Sequence, residues 1–297
     1  MRVELLSVPM SLGAVCRGVD LGPRAILYTG LAAKLREQGH EVSVLNAIPV
    51  PSLDDCEPGN PKLLYLDPIL TATTATARAV KRILTDGAFP VVLGGDHSVA
   101  LGSVSGVAQT RGPIGLIWLD AHGDFNDSTT SPSGHIHGMI LAALAGAGDP
   151  ALNNAAGPGP HVDPHHIAIV GARSLDPGEK AKLRDAGAHV YPMDQIDARG
   201  IASVMDEALG LVSEGTAGLH LSLDLDVVAP TVVAGFGTPV PGGLSYREVH
   251  LATEMASRSG RLLSLDLVEV NPLFDHVNAT AVLATELALS ALGSTIF

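Results

Sequence analysis

Short apolar segments alternate with longer segments of helical periodicity along most of the chain. The segments PVVLGG at 90–95 and IGLIWLD at 114–120 are continuous apolar runs that are too short for an ordinary helix, and Gly or Asp ends each run. Such runs are typical of strands that are buried on both faces of a parallel sheet. The same interpretation applies to 3–8, 42–45, 166–172, 217–226 and 262–270.

Helical patterns fill several of the intervals between these predicted strands. Near the N-terminus, Asp20 precedes Gly22-Pro23, where Asp can cap a helix and Pro can open it. The apolar spacing then continues to Leu35, and Gly39 ends the pattern. Further helices are predicted at 72–86, 201–213, 245–258 and 277–292. Loops rich in Gly, Pro and Asn are predicted at 153–164 and 229–243.

The alternation predicts an α/β fold of three layers, in which a mostly parallel central sheet lies between two layers of helices. The 297 residues contain no repeat, no low-complexity tract and no linker-like change of composition. We therefore expect residues 1–297 to form a single catalytic domain. In such folds, the loops at the carboxyl ends of the strands form the functional site.

Charge and cysteine content narrow the classes of partner. The 31 acidic and 18 basic residues give a formal net charge of −13, which repels nucleic acid and anionic membranes and attracts a small cationic substrate. Cys16 and Cys56 are not spaced as a C-x-x-C pair, which favours a reduced, cytoplasmic setting. The first residues lack the pattern of a signal peptide, and no segment approaches ~20 uninterrupted apolar residues. We expect neither a nucleic-acid partner nor a membrane partner.

Acidic residues and histidines follow four of the predicted strands at their carboxyl ends. Asp120, His122 and Asp124 follow one strand, and Asp224 and Asp226 follow another. If these segments are extended, alternate side chains project to the same side and each group converges. Like charges ~4 Å apart repel by several kcal/mol at an intermediate dielectric. Divalent cations would remove this conflict.

The other two strands contribute His97 and Glu269. Four aspartates and two histidines without sulfur are better suited to manganese than to a structural zinc site. Shared between two ions, with two aspartates bridging, this set balances about four positive charges and leaves room for an activated water. Asp96, beside His97, is interpreted as a capping or outer group rather than as a ligand. The candidate metal ligands are His97, Asp120, His122, Asp124, Asp224 and Asp226.

Several motifs occur in the order and approximate spacing of one known family. They are GGDHS at 94–98, DAHGDFN at 120–126, SGHIHGM at 133–139, SLDLD at 222–226, GTPVPGGLSYRE at 237–248 and VEVNP at 268–272. The chain resembles the ureohydrolase family of arginases and agmatinases. RGVDLGP at 17–23 and SLDPGEK at 174–180 extend the resemblance over nearly the whole chain.

The resemblance implies a metal centre of two Mn²⁺ ions per chain. One ion would be held by His97, Asp120, Asp124 and Asp224, and the other by Asp120, His122, Asp224 and Asp226. It also implies catalytic roles: His137 would shuttle a proton and Glu269 would orient the guanidinium group, while Asp124 serves as a ligand and a catalytic residue. The implied substrate-binding residues are Asn126, Ser131, Ser133, His135, Asp176 and Thr238.

The implied activity is manganese-dependent hydrolysis of L-arginine to L-ornithine and urea by a metal-bridging hydroxide. Such an enzyme acts on the C–N bonds of a linear amidine, belongs to arginine metabolism, and would assemble as a homotrimer or homohexamer. The chain departs from the family pattern at His135, where Asn is usual, and at Val227-Val228-Ala229-Pro230, where Gly-Leu-Asp-Pro is usual. The alternatives are agmatinase- or guanidinobutyrase-type hydrolysis of another guanidine, and a non-catalytic regulatory protein on the same scaffold.

Overall fold

Ten strands and eleven α-helices follow one another in residues 1–294, the part of the chain that the computed structural model describes. The strands are β1 (Arg2–Val8), β2 (Glu41–Val44), β3 (Gly59–Asn60), β4 (Leu63–Leu64), β5 (Phe89–Gly94), β6 (Gly115–Leu119), β7 (Ile167–Ala172), β8 (His189–Pro192), β9 (Leu219–Asp224) and β10 (Leu262–Val268). The helices are α1 (Gly22–Tyr28), α2 (Leu31–Glu37), α3 (Leu66–Thr85), α4 (Ala100–Arg111), α5 (Ile140–Leu144), α6 (Pro150–Asn153), α7 (Pro177–Ala186), α8 (Met193–Arg199), α9 (Ile201–Ser213), α10 (Tyr246–Arg258) and α11 (Ala279–Ala291).

Eight of the strands form one parallel sheet in the order β2-β1-β5-β10-β9-β6-β7-β8. The short strands β3 and β4 pair separately and antiparallel. Because the eight strands are parallel, their carboxyl ends lie at one edge of the sheet, and the loops that follow β5, β6, β9 and β10 are neighbours there. The predicted mostly parallel central sheet is confirmed.

Buried apolar side chains form two clusters, one on each face of the sheet. Helices α3 to α7 cover one face, and α1, α2 and α8 to α11 cover the other. Neighbouring strand residues contribute to opposite clusters: Trp118 and Leu119 do so in β6, and Leu267 and Val268 in β10. Each fully buried large side chain stabilises the fold by roughly 1.5–3 kcal/mol. The predicted three-layer arrangement is therefore confirmed.

The helix predicted between Asp20 and Gly39 is two helices, α1 and α2. Gly30 has a left-handed φ of 86° between them, and a single continuous helix cannot contain that conformation. The helix predicted from residue 72 begins earlier, at Leu66. Within residues 1–294, no helix combines the length and the apolar character that crossing a membrane requires.

Helix α4 was not predicted, because Gly and Ser weaken its helical pattern. Its glycines have a packing role. A Cβ at Gly102 would lie 2.7 Å from the carbonyl oxygen of Thr73, and a Cβ at Gly106 would lie 2.8 Å from that of Ala77. These close approaches let α4 pack directly against α3, a contact between helices that local propensity does not report.

Tight turns join helices to strands at the amino edge of the sheet, away from the loops described above. Gly39 precedes β2, Gly87 precedes β5 and Gly260 precedes β10. Gly87 has a φ of 76°, which suits a left-handed turn after a helix. A side-chain Cβ at any of these three positions would meet no atom within 4 Å. These three turns are therefore open to solvent.

Candidate active site

Metal-ligand types gather at the carboxyl edge of the central strands. Among the described residues, two groups have ligand atoms that all lie within 4.8 Å of one another. The first group is His97, Asp120 and Asp224, and the second is Asp120, His122 and Asp226. Asp120 belongs to both groups, so the structure brings five of the six predicted ligands into two adjoining clusters.

The ligands converge through tight turns rather than through extended backbone. Strand β6 ends before Asp120, whose Oδ1 accepts a hydrogen bond from the backbone N–H of His122 at 2.6 Å. Strand β9 ends at Asp224, whose Oδ1 accepts from the N–H of Asp226 at 2.8 Å. The extended geometry predicted for 120–124 and 224–226 is wrong, because each first aspartate caps the turn that follows it. These turns place the next ligand in the site.

The ring of His97 is held in place by an aromatic stack and by contacts at both of its nitrogens. It stacks on Trp118 with centroids 3.8 Å apart and planes 6° apart, and its Nε2 lies 2.8 Å from Ser222 Oγ. Its Nδ1 lies 3.2 Å from Oδ2 of both Asp120 and Asp124. Asp124, the sixth predicted ligand, therefore borders the first cluster. Trp118 and Ser222 each stand two residues before a candidate ligand on the same strand face, a spacing that the sequence analysis did not use.

Asp96 shapes the loop that carries His97. Its Oδ1 accepts from the backbone N–H of Ser98 at 2.9 Å, as the cap of a short 3-10 turn. Its Oδ2 accepts from the N–H of Gly13 at 2.8 Å, which ties the loop after β1 to the site. The interpretation of Asp96 as a capping residue is confirmed.

The second cluster has its own supporting contacts. Nδ1 of His122 lies 3.0 Å from Asp226 Oδ2. That oxygen also accepts from Thr238 Oγ1 at 3.2 Å, while Asp226 Oδ1 accepts from the N–H of Ala121 at 3.2 Å. Trp118 Nε1 donates to Oδ2 of the shared Asp120 at 2.9 Å. The carboxylates are thus oriented by hydrogen bonds from outside the cluster.

Charge crowding perturbs the acids of the clusters. Burial raises the pKa of Asp124 to about 6, with repulsion from Asp120 adding to the effect. Burial also raises the pKa of Asp224, which Asp226 and Asp120 repel. Burial lowers the pKa of His97, but hydrogen bonds to the aspartates outweigh it and raise that pKa well above its ordinary value. These shifts reflect buried acids crowded around one histidine, and the buried oxygen and nitrogen donors fit a pair of divalent cations.

His137 and Glu269 form a pair beside the first cluster. Glu269 follows β10 in a left-handed conformation with a φ of 63°. Its Oε1 accepts from the backbone N–H of His97 at 3.0 Å and lies 3.1 Å from His137 Nδ1. Burial lowers the pKa of His137, but the hydrogen bond and charge of Glu269 outweigh this and raise it to about 9. His137 is thus held in its protonated form.

A pocket of about 140 Å³ opens beside these groups. No Lys or Arg is found among the described residues that line it, so the pocket suits a cationic group. The predicted site residues that line the pocket are His122, Asp124, Asn126, Ser131, Ser133, His135, His137, Asp176, Asp224 and Thr238. The carboxylate of Glu269 is bonded to His137 and is not part of this lining.

The outer part of the pocket includes the carboxylate of Glu179, which was not among the predicted site residues. Asp176 caps α7, and Glu179 completes the capping box by accepting from the N–H of Asp176 at 3.1 Å. Glu179 also accepts from the N–H of Phe125 at 2.8 Å, and Asn126 Nδ2 donates to Asp176 Oδ2 at 3.0 Å. Burial raises the pKa of Glu179 to about 7. The Asp-x-x-Glu spacing is a sequence signal for this pair.

His135 stands at the mouth of the pocket, half-buried, with its ring centre 6.4 Å from that of His137 and nearly perpendicular to it. Its Nδ1 is buried without a hydrogen-bond partner. Burial and the nearby charge of His137 lower the pKa of His135. The hydroxyl oxygens of Ser131 and Ser133 accept from the N–H groups of Gly134 and His135, which shapes this loop.

Comparison with known proteins identifies the family. The model of the arginase family matches residues 1–293. The arginase of Brevibacillus brevis is 47% identical over 292 residues, covering 98% of this chain and 97% of that protein. The arginase of Bacillus caldovelox is 44% identical and covers 98% of both. A solved structure of the B. caldovelox arginase superposes with a TM-score of 0.96 over 99% of each chain.

The fold and the comparisons define a hydrolase that acts on the C–N bonds of a linear amidine, as the sequence predicted. The chain belongs to the arginase family.

Proposed function

We propose that this protein hydrolyses L-arginine to L-ornithine and urea and depends on manganese. The observation that carries the proposal is the pair of buried clusters that share Asp120 at the floor of a pocket lined by carboxylates. Relatives named arginase, similar over almost the entire chain, support arginine as the substrate. Placement in arginine metabolism follows from this activity.

Two manganese ions fit the donor set. His97, Asp120, Asp124 and Asp224 would hold one ion, and Asp120, His122, Asp224 and Asp226 would hold the other. When bound, the ions would lower the pKa of a water molecule to near neutrality. They would thereby supply the nucleophile that the resonance-stabilised guanidinium carbon of arginine requires. Thr238 and Trp118 would keep the carboxylates of the two clusters oriented.

The pocket would bind the two ends of arginine by different groups. The guanidinium stays protonated at all working pH values and would face the acidic floor near Asp124 and Asp224. At the mouth, Asp176 and Glu179 offer carboxylate oxygens to an α-amino group. For the α-carboxylate, the candidate donors are Asn126, Ser131, Ser133 and His135.

His137 would supply the proton that the departing amine needs. Its Nδ1 is engaged by Glu269, so Nε2 is the ring nitrogen left for proton transfer. Glu269 would hold this ring in place, and its charge would favour the protonated imidazole. Proton transfer by a positioned side chain of this kind contributes ~10²–10⁴-fold to the rate.

Because His135 lines the pocket and departs from the family pattern, other guanidines are also candidate substrates. His135 stands at the mouth of the pocket, so agmatine or 4-guanidinobutyrate, which lack one of the two head groups of arginine, are the competing guanidines. Urea release from the three compounds should be compared with manganese-loaded protein. Arginine should give the highest kcat/KM, and no turnover of arginine would reject the proposal.

Variants separate the proposed roles. Asp124→Ala should lose activity mainly through loss of metal, whereas His137→Ala should keep both ions and lose rate. Equal metal loss in both variants would contradict this division. Fewer than about one ion per chain after manganese loading would instead favour the non-catalytic regulatory protein. The cytoplasmic setting and the homotrimer or homohexamer stay predictions, which fractionation and light scattering would test.

A further inference from the structure

Arg173 makes an unusual set of contacts directly after β7. Its Nη2 donates to the carbonyl oxygens of Asp226 at 2.7 Å and of Val240 at 3.1 Å. Its Nη1 donates to the carbonyl oxygen of Val227 at 3.1 Å, and Nη2 lies 3.4 Å from that of Val228. Within residues 1–294, every hydrogen bond of this guanidinium goes to the main chain, and none goes to a carboxylate.

These carbonyls belong to the two segments that support Asp226. The first segment is the turn Leu225–Val227, which contains Asp226 and is followed by its C-cap residue, Val228. The second segment includes Thr238, whose hydroxyl donates to Asp226 Oδ2, and reaches Val240 two residues later. One side chain therefore ties the backbone of a candidate ligand to the loop that orients its carboxylate.

The guanidinium occupies a tight backbone corner beside the Asp226 turn. A Cβ at Gly243 would lie 2.8 Å from Arg173 Nη2 and 2.9 Å from the N atom of Ala229, so the three groups meet at one point. Backbone bonds between Leu244 and residues 227 and 229 close the same corner.

The charge of Arg173 adds to this geometric role. Asp226, Asp120 and Asp224 all attract the guanidinium electrostatically, although burial opposes its charge. A planar fork of five N–H donors can bind several carbonyls at once, which a lysine ammonium on a flexible stem cannot reproduce. The guanidinium is therefore a fixed cation near the acidic clusters, and Arg173 does not line the pocket.

We propose that Arg173 is a positioning residue for the second ligand cluster, Asp120, His122 and Asp226, because it fastens the Asp226 turn to the Thr238 loop. The inference rests on the proposed metal-dependent function. It concerns ligand geometry and not contact with substrate.

Arg173→Met and Arg173→Lys test the proposal, and Arg261→Met is the matched control. Arg261 Nη2 also donates to backbone carbonyls, those of Ser213 and Thr216, but at the amino end of β10, at the opposite edge of the sheet. The readouts are manganese per chain, manganese affinity by calorimetry, and hydrogen exchange of the metal-free proteins.

Arg173→Met should keep about one ion and bind the other ~10–100-fold more weakly, as expected when a group that orients ligands is lost. Amides at 225–230 and 238–244 should exchange faster than in the parent. In Arg173→Lys, the manganese affinity and the exchange rates should lie between those of Arg173→Met and those of the parent. This variant provides the test if Arg173→Met does not fold. Arg261→Met should keep both ions and the parent exchange rates in those segments.

The proposal is overturned if Arg173→Met binds both ions with the parent affinity and exchanges like the parent. It is equally overturned if Arg261→Met loses as much metal, because general destabilisation would then be the cause. If the parent itself binds no manganese, the proposed function fails. Hydrogen exchange then still decides whether Arg173 fastens the two segments.

Discussion

Replacing Glu269 by Gln removes the charge beside His137 with little change in side-chain volume. In the structure, Glu269 Oε1 lies 3.1 Å from His137 Nδ1 and accepts from the backbone N–H of His97 at 3.0 Å. An amide oxygen can still accept the His97 bond. The variant therefore isolates the charge of Glu269, and its effect should be read from the pKa of His137.

The magnitude follows from the pKa of His137, which is about 9 against an ordinary value of 6.5. That difference corresponds to about 3 kcal/mol in favour of the protonated ring, since one pKa unit is worth about 1.4 kcal/mol. Burial opposes the protonated ring, and Glu269 makes the largest contribution in its favour, ahead of Asp124 and Asp96. In Glu269→Gln we expect the pKa of His137 to fall to near or below 6.5.

The effect on stability has a defined pH range. A histidine whose folded pKa is raised stabilises the fold fully below its unfolded pKa, and this stabilisation is lost as the pH rises through the folded value. In metal-free protein, Glu269→Gln should therefore lower the free energy of unfolding by up to about 3 kcal/mol below about pH 6.5. The difference from the parent should shrink as the pH passes about 9.

Proton NMR titration of metal-free protein measures the pKa directly, with His137→Asn assigning the resonance. Urea unfolding at several pH values measures the stability difference. If His137 still titrates near 9 in Glu269→Gln, the Glu269 contact is not the cause of the raised pKa and the reasoning is refuted.

Three further substitutions test other contacts. Gly95→Ala places a Cβ 1.8 Å from the carbonyl oxygen of Met10 and should lower the free energy of unfolding in urea by about 1–3 kcal/mol. Gly210→Ala, in open space on α9, should leave that free energy unchanged or raise it. Similar losses in the two variants would contradict the packing at Gly95. Trp118→Phe removes the hydrogen bond to Asp120 and should weaken manganese binding about tenfold or more in calorimetry; an unchanged Kd would dismiss this role. Lys182→Met removes the ion pair with Asp127, whose pKa is lowered because the hydrogen bonds from Lys182 and Thr129 outweigh burial. It should cost about 1 kcal/mol at neutral pH. The difference should begin to shrink as the pH falls below about 4 and should disappear only once the pH has fallen through the lowered pKa of Asp127; a pH-independent cost would argue against the pair.

The parallel sheet could be predicted because its strands are continuous apolar runs, and helix α9 at 201–213 was predicted with its observed bounds. Helix α4 could not be predicted, since Gly102 and Gly106 are poor helix formers that serve a contact with α3. The break at Gly30 was also missed, because the apolar spacing continues across it. Packing against α3 explains α4, whereas the break between α1 and α2 depends on the left-handed backbone of Gly30.

The convergence of the acidic groups could be predicted from their positions after neighbouring strands, but the backbone geometry could not. Asp120 and Asp224 cap their own turns, a choice that depends on side-chain hydrogen bonds over two residues. Glu179 had a local signal in its spacing from Asp176. Arg173 had none, because its partners are main-chain carbonyls from remote segments, and carbonyls carry no sequence signature.

The open turns at Gly39, Gly87 and Gly260 have a practical consequence. They lie at the amino edge of the sheet, whereas the pocket opens at the carboxyl edge. The three turns and the candidate active site are therefore at opposite ends of the strands. A tether, a fluorophore or a short peptide attached at one of these turns displaces no packed side chain. Protein immobilised on a bead through residue 87 or 260 should thus present its pocket outward to the surrounding liquid.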